Sequence, residues 1–448
     1  MKLSEELIWR GFQAETTIKD PTFLDEKENK SFYWGADPSA DSLTIGNLAA
    51  LMMCACFVRH GYQPYLLVGG ATGQIGDPKD TKERDLKPLS EVEHNKKCIK
   101  AQIERCLKNA STSPANDKTA STSDISGEKA GVAADINLTM VDNYDWFKDI
   151  NYIDFLRTVG KSFSMTQLMD RKFIQSRMGE GGSGISYAEF SYTLIQGYDF
   201  YHLYRQYGID LQLCGADQYG NCSSGISLIR KLAGAEANVW STPLIIDPVT
   251  GRKFGKSEGN AVWLAAEAVK RPADVVEAGE AEYSPNFTSV FDFYQFWLNQ
   301  ADTAVEYLLK IYTVYDKDTI ENILSEHTKD PSQRIAQKAL AKGATEVVHG
   351  KEAAEAVIAL TEKLFDKNAT FSDKDIEQAA IILPVKPIGV SLVDDLVATG
   401  LASSKKEARQ FIGSGAVSVN GEKVTDEAKV LSAPAILKKG KNKFAVVK

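Results

Sequence analysis

The chain has 448 residues, 43% of them hydrophobic, and a formal net charge of −8. It is too long for one ordinary domain and long enough for two or three sizeable cores. No apolar run approaches the roughly eighteen residues that a membrane span needs, and the first residues, Met1-Lys2-Leu3-Ser4-Glu5-Glu6, turn acidic at once, unlike a secretory signal or an arginine-rich transit peptide. A cytoplasmic enzyme with no membrane partner is expected.

Six cysteines (Cys54, Cys56, Cys98, Cys106, Cys214, Cys222) form no C-x-x-C pair, and the five histidines do not gather around them. No zinc is therefore expected, and the thiols read as small, partly buried side chains of a reducing compartment. From Pro384 to Lys448 eleven Lys and Arg stand against six Asp and Glu, a local charge of +5 that leaves −13 for the rest. An acidic body with a basic tail fits a polyanion met through the tail, although a solvated lysine surface has the same composition.

In chain order, Ser31 to Gly35 predicts a strand ending on glycine, Asn47 to Arg59 a buried helix, and Gln63 to Val68 a second strand closed by Gly69-Gly70. Strand, helix and strand in about forty residues make a βαβ unit with a parallel sheet. Further strands are predicted at Ile209–Cys214 and Thr242–Ile246. Residues Ala110 to Ala134, rich in Ser, Thr, Ala, Gly and Asp, read as a flexible surface insertion. From Asn286 to about Leu364 the apolar spacing turns helical, through Phe291–Trp297, Val305–Ile311, Ile335–Val348 and Ala353–Leu364. A linker is predicted near Pro384-Val385-Lys386-Pro387, then two short helices (Ser391–Thr399, Ser404–Ser414) and a hairpin in which Ala416–Val419 turns at Asn420-Gly421.

Two stretches suggest nucleotide chemistry. Tyr33-Trp34-Gly35-Ala36-Asp37-Pro38-Ser39 through Thr44-Ile45-Gly46-Asn47 runs from a strand end into a helix start, where free backbone N–H groups favour phosphate. Gly35 and Gly46 let adenine and ribose approach the backbone. An ordinary capped turn has the same composition. Later, Gly251-Arg252-Lys253-Phe254-Gly255-Lys256-Ser257 places cations and a hydroxyl around a glycine, suited to triphosphate, though a solvated basic turn looks alike. No G-x-x-x-x-G-K-[ST] run follows the first strand, so a P-loop is excluded.

Taken together, YWGADPSADSL, VGGATGQIGDP, NYDWF, EFSYTLIQGYDF, QLCGADQYGN, KFGKS and FYQFWLN, running in order from residue 33 to 299, resemble the class I aminoacyl-tRNA synthetases, and among them the bacterial-type tyrosyl-tRNA synthetases. The tail resembles the RNA-binding module of a small-subunit ribosomal protein. The resemblance implies a Rossmann-like parallel-sheet α/β catalytic domain over 1–265, with the insertion at 110–135 and a dimer-interface region at about 137–190. An α-helical domain over 266–375, a linker over 376–388 and a small α+β RNA-binding domain over 389–448 complete the plan.

It also implies roles. Tyr33 and Asp199 would meet the phenol hydroxyl of tyrosine, a pairing that leaves buried polar groups unsatisfied when phenylalanine enters. Asp77, Tyr192 and Gln196 would accept from its ammonium. Asp217 and Gln218, beside Gly215, would hold the ribose and the substrate carboxylate, with Asp37 near ATP or ribose. Ser39, Thr44, Lys253, Lys256 and Ser257 would meet the phosphates, and Lys82 and Arg84 the departing pyrophosphate, with Lys79 as a stand-in for Lys82. The implied substrates are tyrosine, ATP with Mg²⁺, and tRNA(Tyr), the last gripped through Lys405, Lys406 and Arg409 and aided by Lys438, Lys439, Lys441 and Lys443. A homodimer is implied, for which the apolar segment Tyr152–Met169 serves either as interface or as interior core.

The sequence departs from the family at its first signature, usually His-x-Gly-His and here Thr44-Ile45-Gly46-Asn47. Both replacements retain hydrogen-bond donors but no positive charge. Trp34 stands where a small residue is common, beside the expected ribose site, and Tyr219 replaces a frequent tryptophan. A tryptophanyl enzyme shares the architecture, but Tyr33 and Asp199 favour tyrosine. A catalytically inactive RNA-binding or splicing relative is the other reading, supported by the missing histidines alone. A nucleotidyltransferase without an RNA substrate leaves the tail unexplained.

Overall fold

The computed structural model describes residues 1–78, 84–111, 137–169, 172–179, 182–246, 251, 254, 256–257, 260–366, 371–440 and 443–448. Helix α1 (Leu3–Arg10) is followed by β1 (Ser31–Ala36), α2 (Ile45–Arg59), β2 (Gln63–Val68), α3 (Leu89–Ser111) and β3 (Thr139–Val141). Next come α4 (Tyr187–Tyr207), β4 (Leu211–Gly215), α5 (Tyr219–Ala233) and β5 (Asn238–Thr242). These five strands form one parallel sheet in the order β3-β2-β1-β4-β5. The strand order reverses between β1 and β4, and the crevice beyond the strand ends at such a reversal is where open α/β sheets bind ligands. The parallel α/β expectation thus holds.

The first strand shows how sequence sets the layers. Its side chains alternate, so Phe32 and Trp34 join the core around α2, while Tyr33 joins the opposite cluster with Phe200 and Ile226. Helix α2 is buried almost all round because the sheet lies on one side and α1, α3 and the helical region on the others.

The strand predicted at Thr242–Ile246 is corrected. The paired strand ends at Thr242, because Pro243 has no N–H to continue the ladder, and Pro243 to Ile245 instead line the cavity described below. The insertion expected at 110–135 lies almost wholly outside the described residues.

A short antiparallel hairpin pairs β6 (Lys256–Ser257) with β7 (Asn260–Ala261). Helices α6 (Val290–Leu298), α7 (Asp302–Tyr312), α8 (Lys317–Lys329), α9 (Ile335–His349), α10 (Lys351–Phe365) and α11 (Asp373–Ile382) follow. They share one continuous apolar core with α2 and α3. The segment 376–388, expected as a linker, carries most of α11 and the strand β8 (Val385–Lys386).

The tail adds α12 (Leu392–Ala398), α13 (Lys405–Gly413), β9 (Val417–Val419), β10 (Glu422–Val424), β11 (Ala435–Lys439) and β12 (Lys443–Val447), with sheet order β10-β9-β11-β12-β8. Asn420 and Gly421, both at positive φ (48° and 88°), make the tight turn between β9 and β10. No helix among the described residues is long and apolar enough to cross a membrane.

Candidate active site

A cavity of about 380 Å³ opens at the carboxyl ends of β1 and β4. From β1 and the turn after it come Tyr33, Trp34, Gly35, Asp37 and Ser39, and from the start of α2 come Thr44, Gly46 and Asn47. The stretch after β2 adds Asp77 and Arg84. Helix α4 presents Tyr192, Gln196 and Asp199 from one face, as their spacing of four and three requires. The turn after β4 gives Gly215, Asp217 and Gln218, and Phe254 closes one side.

The glycines earn their place by close approach. A Cβ on Gly69 would meet Thr72 Oγ1 at 1.9 Å and Asp37 Oδ1 at 2.7 Å. This crowding brings the β2 loop against the acidic end of β1.

Four carboxylates line the cavity, Asp37, Asp77, Asp199 and Asp217, and the first three differ in setting. Asp199 is 2% exposed, and burial pushes its carboxyl well up; Asn143 Nδ2 (3.1 Å) and Trp146 Nε1 (3.0 Å) donate to its two oxygens and oppose the rise. Asn143 also donates to Thr72 Oγ1 and accepts from the Ala71 N–H, so one buried amide ties Asp199 to the β2 loop. Asp37 accepts from the Tyr192 hydroxyl at 2.7 Å, and burial raises it against the Thr72 and Tyr192 hydrogen bonds. Asp77 is raised by burial to about 6, while Gln218 Nε2 donates to it at 3.0 Å. Arg84 Nε donates to the Asp77 carbonyl oxygen at 2.8 Å, fixing that cation at the mouth.

Tyr33 is 2% exposed, its ring tilted against Phe200 at 5.5 Å, and its hydroxyl accepts from Gln212 Nε2 at 2.6 Å. The Tyr33 oxygen thus keeps its proton to donate. Gln212 Oε1 and Gln196 Oε1 are buried and without a hydrogen-bond partner among the described residues, and both side chains line the cavity. Buried acceptors left open toward a cavity suit a ligand that brings donors.

At the first signature Thr44 caps α2 from an extended conformation. Asn47 Oδ1 accepts from both the Thr44 N–H and the Thr44 hydroxyl, each at 3.0 Å. The single hydroxyl proton of Thr44 is therefore spent on Asn47. Of the two side chains, only the Asn47 amide Nδ2 retains donors for a ligand.

The second signature is brought to the first by backbone pairing. Ile45 N–H donates to Val262 O, Leu264 N–H to Leu43 O, and Phe254 N–H to Ile245 O, so the β6–β7 hairpin rises directly beside Thr44. Lys256 and Ser257 lie on β6. Lys79, Lys82 and Lys253 fall outside the described residues.

Lys405, Lys406 and Arg409 sit on α13, in a module with its own core, away from the cavity. Lys405 pairs with Asp394 at 2.7 Å and Arg409 lies 3.9 Å from Glu427, both in exposed pairs that hold little energy.

Sequence reading missed Gln212, Asn143, Trp146, Thr72 and Arg84's backbone bond. For Gln212 there was a signal: a lone amide in the buried run Leu211-Gln212-Leu213-Cys214. Asn143 and Trp146 lie in the NYDWF motif, whose sequence alone carries no role for either.

A Rossmann-type sheet with two signatures meeting at one nucleotide-sized cavity defines a class I aminoacyl-tRNA synthetase, and the family model described as "tRNA synthetases class I (W and Y)" matches residues 25–275 and 277–366. A second model, for the "Tyrosine--tRNA ligase SYY-like C-terminal domain", matches residues 374–448. The tyrosine–tRNA ligase of Staphylococcus haemolyticus is 36% identical over 99% of this chain and 98% of its own length, and tyrosine–tRNA ligase 1 of Streptococcus thermophilus is 38% identical over the full length of both. Among solved structures, a C-terminally truncated mitochondrial tyrosyl-tRNA synthetase of Aspergillus nidulans superimposes with a TM-score of 0.64 at 27% identity, covering 81% of this chain and 94% of that one. The chain belongs to the tyrosine–tRNA ligase family.

Proposed function

We propose that the cavity performs both steps of tyrosine–tRNA ligation with the residues assigned as follows. The tyrosine carboxylate attacks the α-phosphorus of ATP in line and pyrophosphate leaves; a 3′-terminal ribose hydroxyl of tRNA(Tyr) then takes the tyrosyl group and releases AMP. Mg²⁺ enters with ATP as part of that substrate. No nucleophile of the chain is needed, so catalysis is positioning and charge stabilisation.

The observation that carries this reading is the match of open groups to substrate groups. Asp199, with both oxygens steadied by N–H donors, accepts the phenol proton while the Tyr33 hydroxyl donates to the phenol oxygen. The ammonium meets Asp77, the open Gln196 Oε1 and the lone pairs of Tyr192, whose own proton is spent on Asp37. Asp217 and Gln218 take the ribose and the substrate carboxylate. Phosphate charge is met by the N-terminus of α2 at Gly46, by the Asn47 amide, by Ser39, and by Arg84, Lys256 and Ser257, with Lys82 and Lys253 from the neighbouring segments. The cations contribute most as charge gathers on the leaving pyrophosphate.

We further propose a cytoplasmic homodimer. Six free thiols, five of them buried, fit a reducing compartment. In the segment from Tyr152 to Met169, Val159 and Leu168 are buried while Tyr152, Ile153 and Met165 are 58–65% exposed, so part of it packs inside and the exposed part fits a face covered by a second copy.

Tyrosine-dependent ATP–pyrophosphate exchange, with phenylalanine and tryptophan in parallel, is the test. Exchange is expected with tyrosine alone. Folded, ATP-binding protein that exchanges with none of them would support the RNA-binding reading instead.

A further inference from the structure

In the C-terminal sheet, β11 and β12 are covered on both faces. In the register Ile436↔Val446, Lys438↔Phe444 and Leu437↔Ala445, alternate side chains of β11 and β12 point opposite ways. Ala435, Leu437, Ala445 and Val447 face the module's own helices, α12 and α13. Ile436, Phe444 and Val446 instead belong to the main core, which they share with Ile376, Ala379 and Ile382 of α11. Phe444 stands edge-on to Phe291 of α6 (5.4 Å) and to Phe365 of α10 (5.8 Å). Lys438 lies over both rings, 5.1 Å from Phe444 and 5.7 Å from Phe365, and its Nζ donates to Leu364 O at 3.4 Å. The connecting strand β8 is itself paired to β12.

Helix α6 has a second set of contacts. Its Phe296 and Trp297 pack on Phe254 of the second signature at 5.5 and 5.8 Å. One helix therefore touches the signature loop with one part of its surface and the tail module with another.

We propose that Phe444 and Lys438 are positioning residues for the second step. They lock the C-terminal module to α6 and α10, so that RNA gripped on α13 is held in fixed register with the cavity. Lys438 acts here as a clamp, not as a phosphate contact. This rests on the reading that the module binds tRNA, and on no other part of the proposed chemistry.

The test uses the full chain with two surface variants, Phe365→Ala and Lys438→Ala, and Lys438→Arg as the conservative control. Each alanine variant should expose the segment 384–391 to limited proteolysis about threefold to tenfold faster, since cleavage tracks the population of the undocked state. Charging of tRNA, as kcat/KM, should fall by a similar factor while pyrophosphate exchange stays unchanged, and Lys438→Arg should restore both. The salt slope of tRNA binding should be unaltered by Lys438→Ala but reduced by about one by Lys406→Ala. Faster proteolysis with normal charging, or no change in proteolysis, would overturn the proposal. An unaltered tRNA affinity and salt slope in Lys406→Ala would instead remove the tail reading on which it stands.

Discussion

Burial raises the Asp77 carboxyl to about 6, opposed by the Gln218 hydrogen bond and the Arg84 charge and aided by Asp37 and Asp217. A carboxyl raised in the folded state holds more protons there than in the unfolded chain, so stability falls as pH climbs from about 4 to about 6, and the full cost is present above that. Asp77→Asn keeps an acceptor for Gln218 and removes the charge. It should raise stability at pH 7.5 by about 2 kcal/mol, after discounting for partial exposure, and change it little near pH 4, as read from denaturant melts. On the proposed contact between Asp77 and the tyrosine ammonium, tyrosine binding runs the other way, because an ammonium needs the carboxylate. Its Kd should rise by about tenfold per pH unit below 6 in the wild type, and be weak and nearly flat in the variant. On the proposed assignment the same residue weakens the empty fold and strengthens the tyrosine complex, which gives a buried acid a use at this spot.

Helix α1 is held by charge as much as by its apolar face. Glu6 Oε1 accepts from Arg10 Nε and from Arg59 of α2, both at 2.7 Å, and Oε2 lies 2.8 Å from His60 Nε2. Arg10 in turn donates to the carbonyls of Lys310, Thr313 and Tyr315, at the end of α7. Burial pushes Glu6 up, but the His60 hydrogen bond and the Arg59 and Arg10 charges outweigh it and hold the carboxyl far below its usual range. A depressed carboxyl contributes stability that is present above the unfolded value near 4.5 and is lost as pH falls below it. Glu6→Gln leaves two buried guanidiniums poorly compensated and should cost about 3 kcal/mol at pH 7, with a smaller loss at pH 3, measured by the same melts.

For the whole molecule, two apolar surfaces among the described residues bear on assembly and on RNA binding. One, around Ile153, is exposed in the single chain; on the proposed homodimer, Ile153→Asp should shift sedimentation from dimer to monomer at micromolar concentration while leaving secondary structure intact. The other, the outer face of β11 and β12, is already covered by α6, α10 and α11. That cover changes how truncation reads. Cutting after Pro384 removes the basic helix and also bares Phe291 and the packed side of α11, so point changes on α13 test RNA binding more cleanly than deletion does.

The sequence by itself determined what local chemistry dictates. Apolar runs of strand length set β1 and β2, the apolar run from Asn47 to Arg59 set the body of α2, and Asn420-Gly421 set the last hairpin, because each depends on residues next to one another. Motif order from Tyr33 to Asn299 was enough to indicate the family, since matching spacings carry that information without coordinates. The tertiary structure decided what depends on residues far apart. Only packing shows that Thr44 spends its proton on Asn47, that Gln212 leaves an acceptor open beside Tyr33, and that Asn143 steadies Asp199 from 56 positions away. Likewise, Lys438 reads as one more basic residue in the chain and becomes a clamp only when β11 presents it to two aromatic rings. Burial, pairing and the spending of each hydrogen-bond donor are properties of neighbours in space, and those neighbours are assigned by the fold.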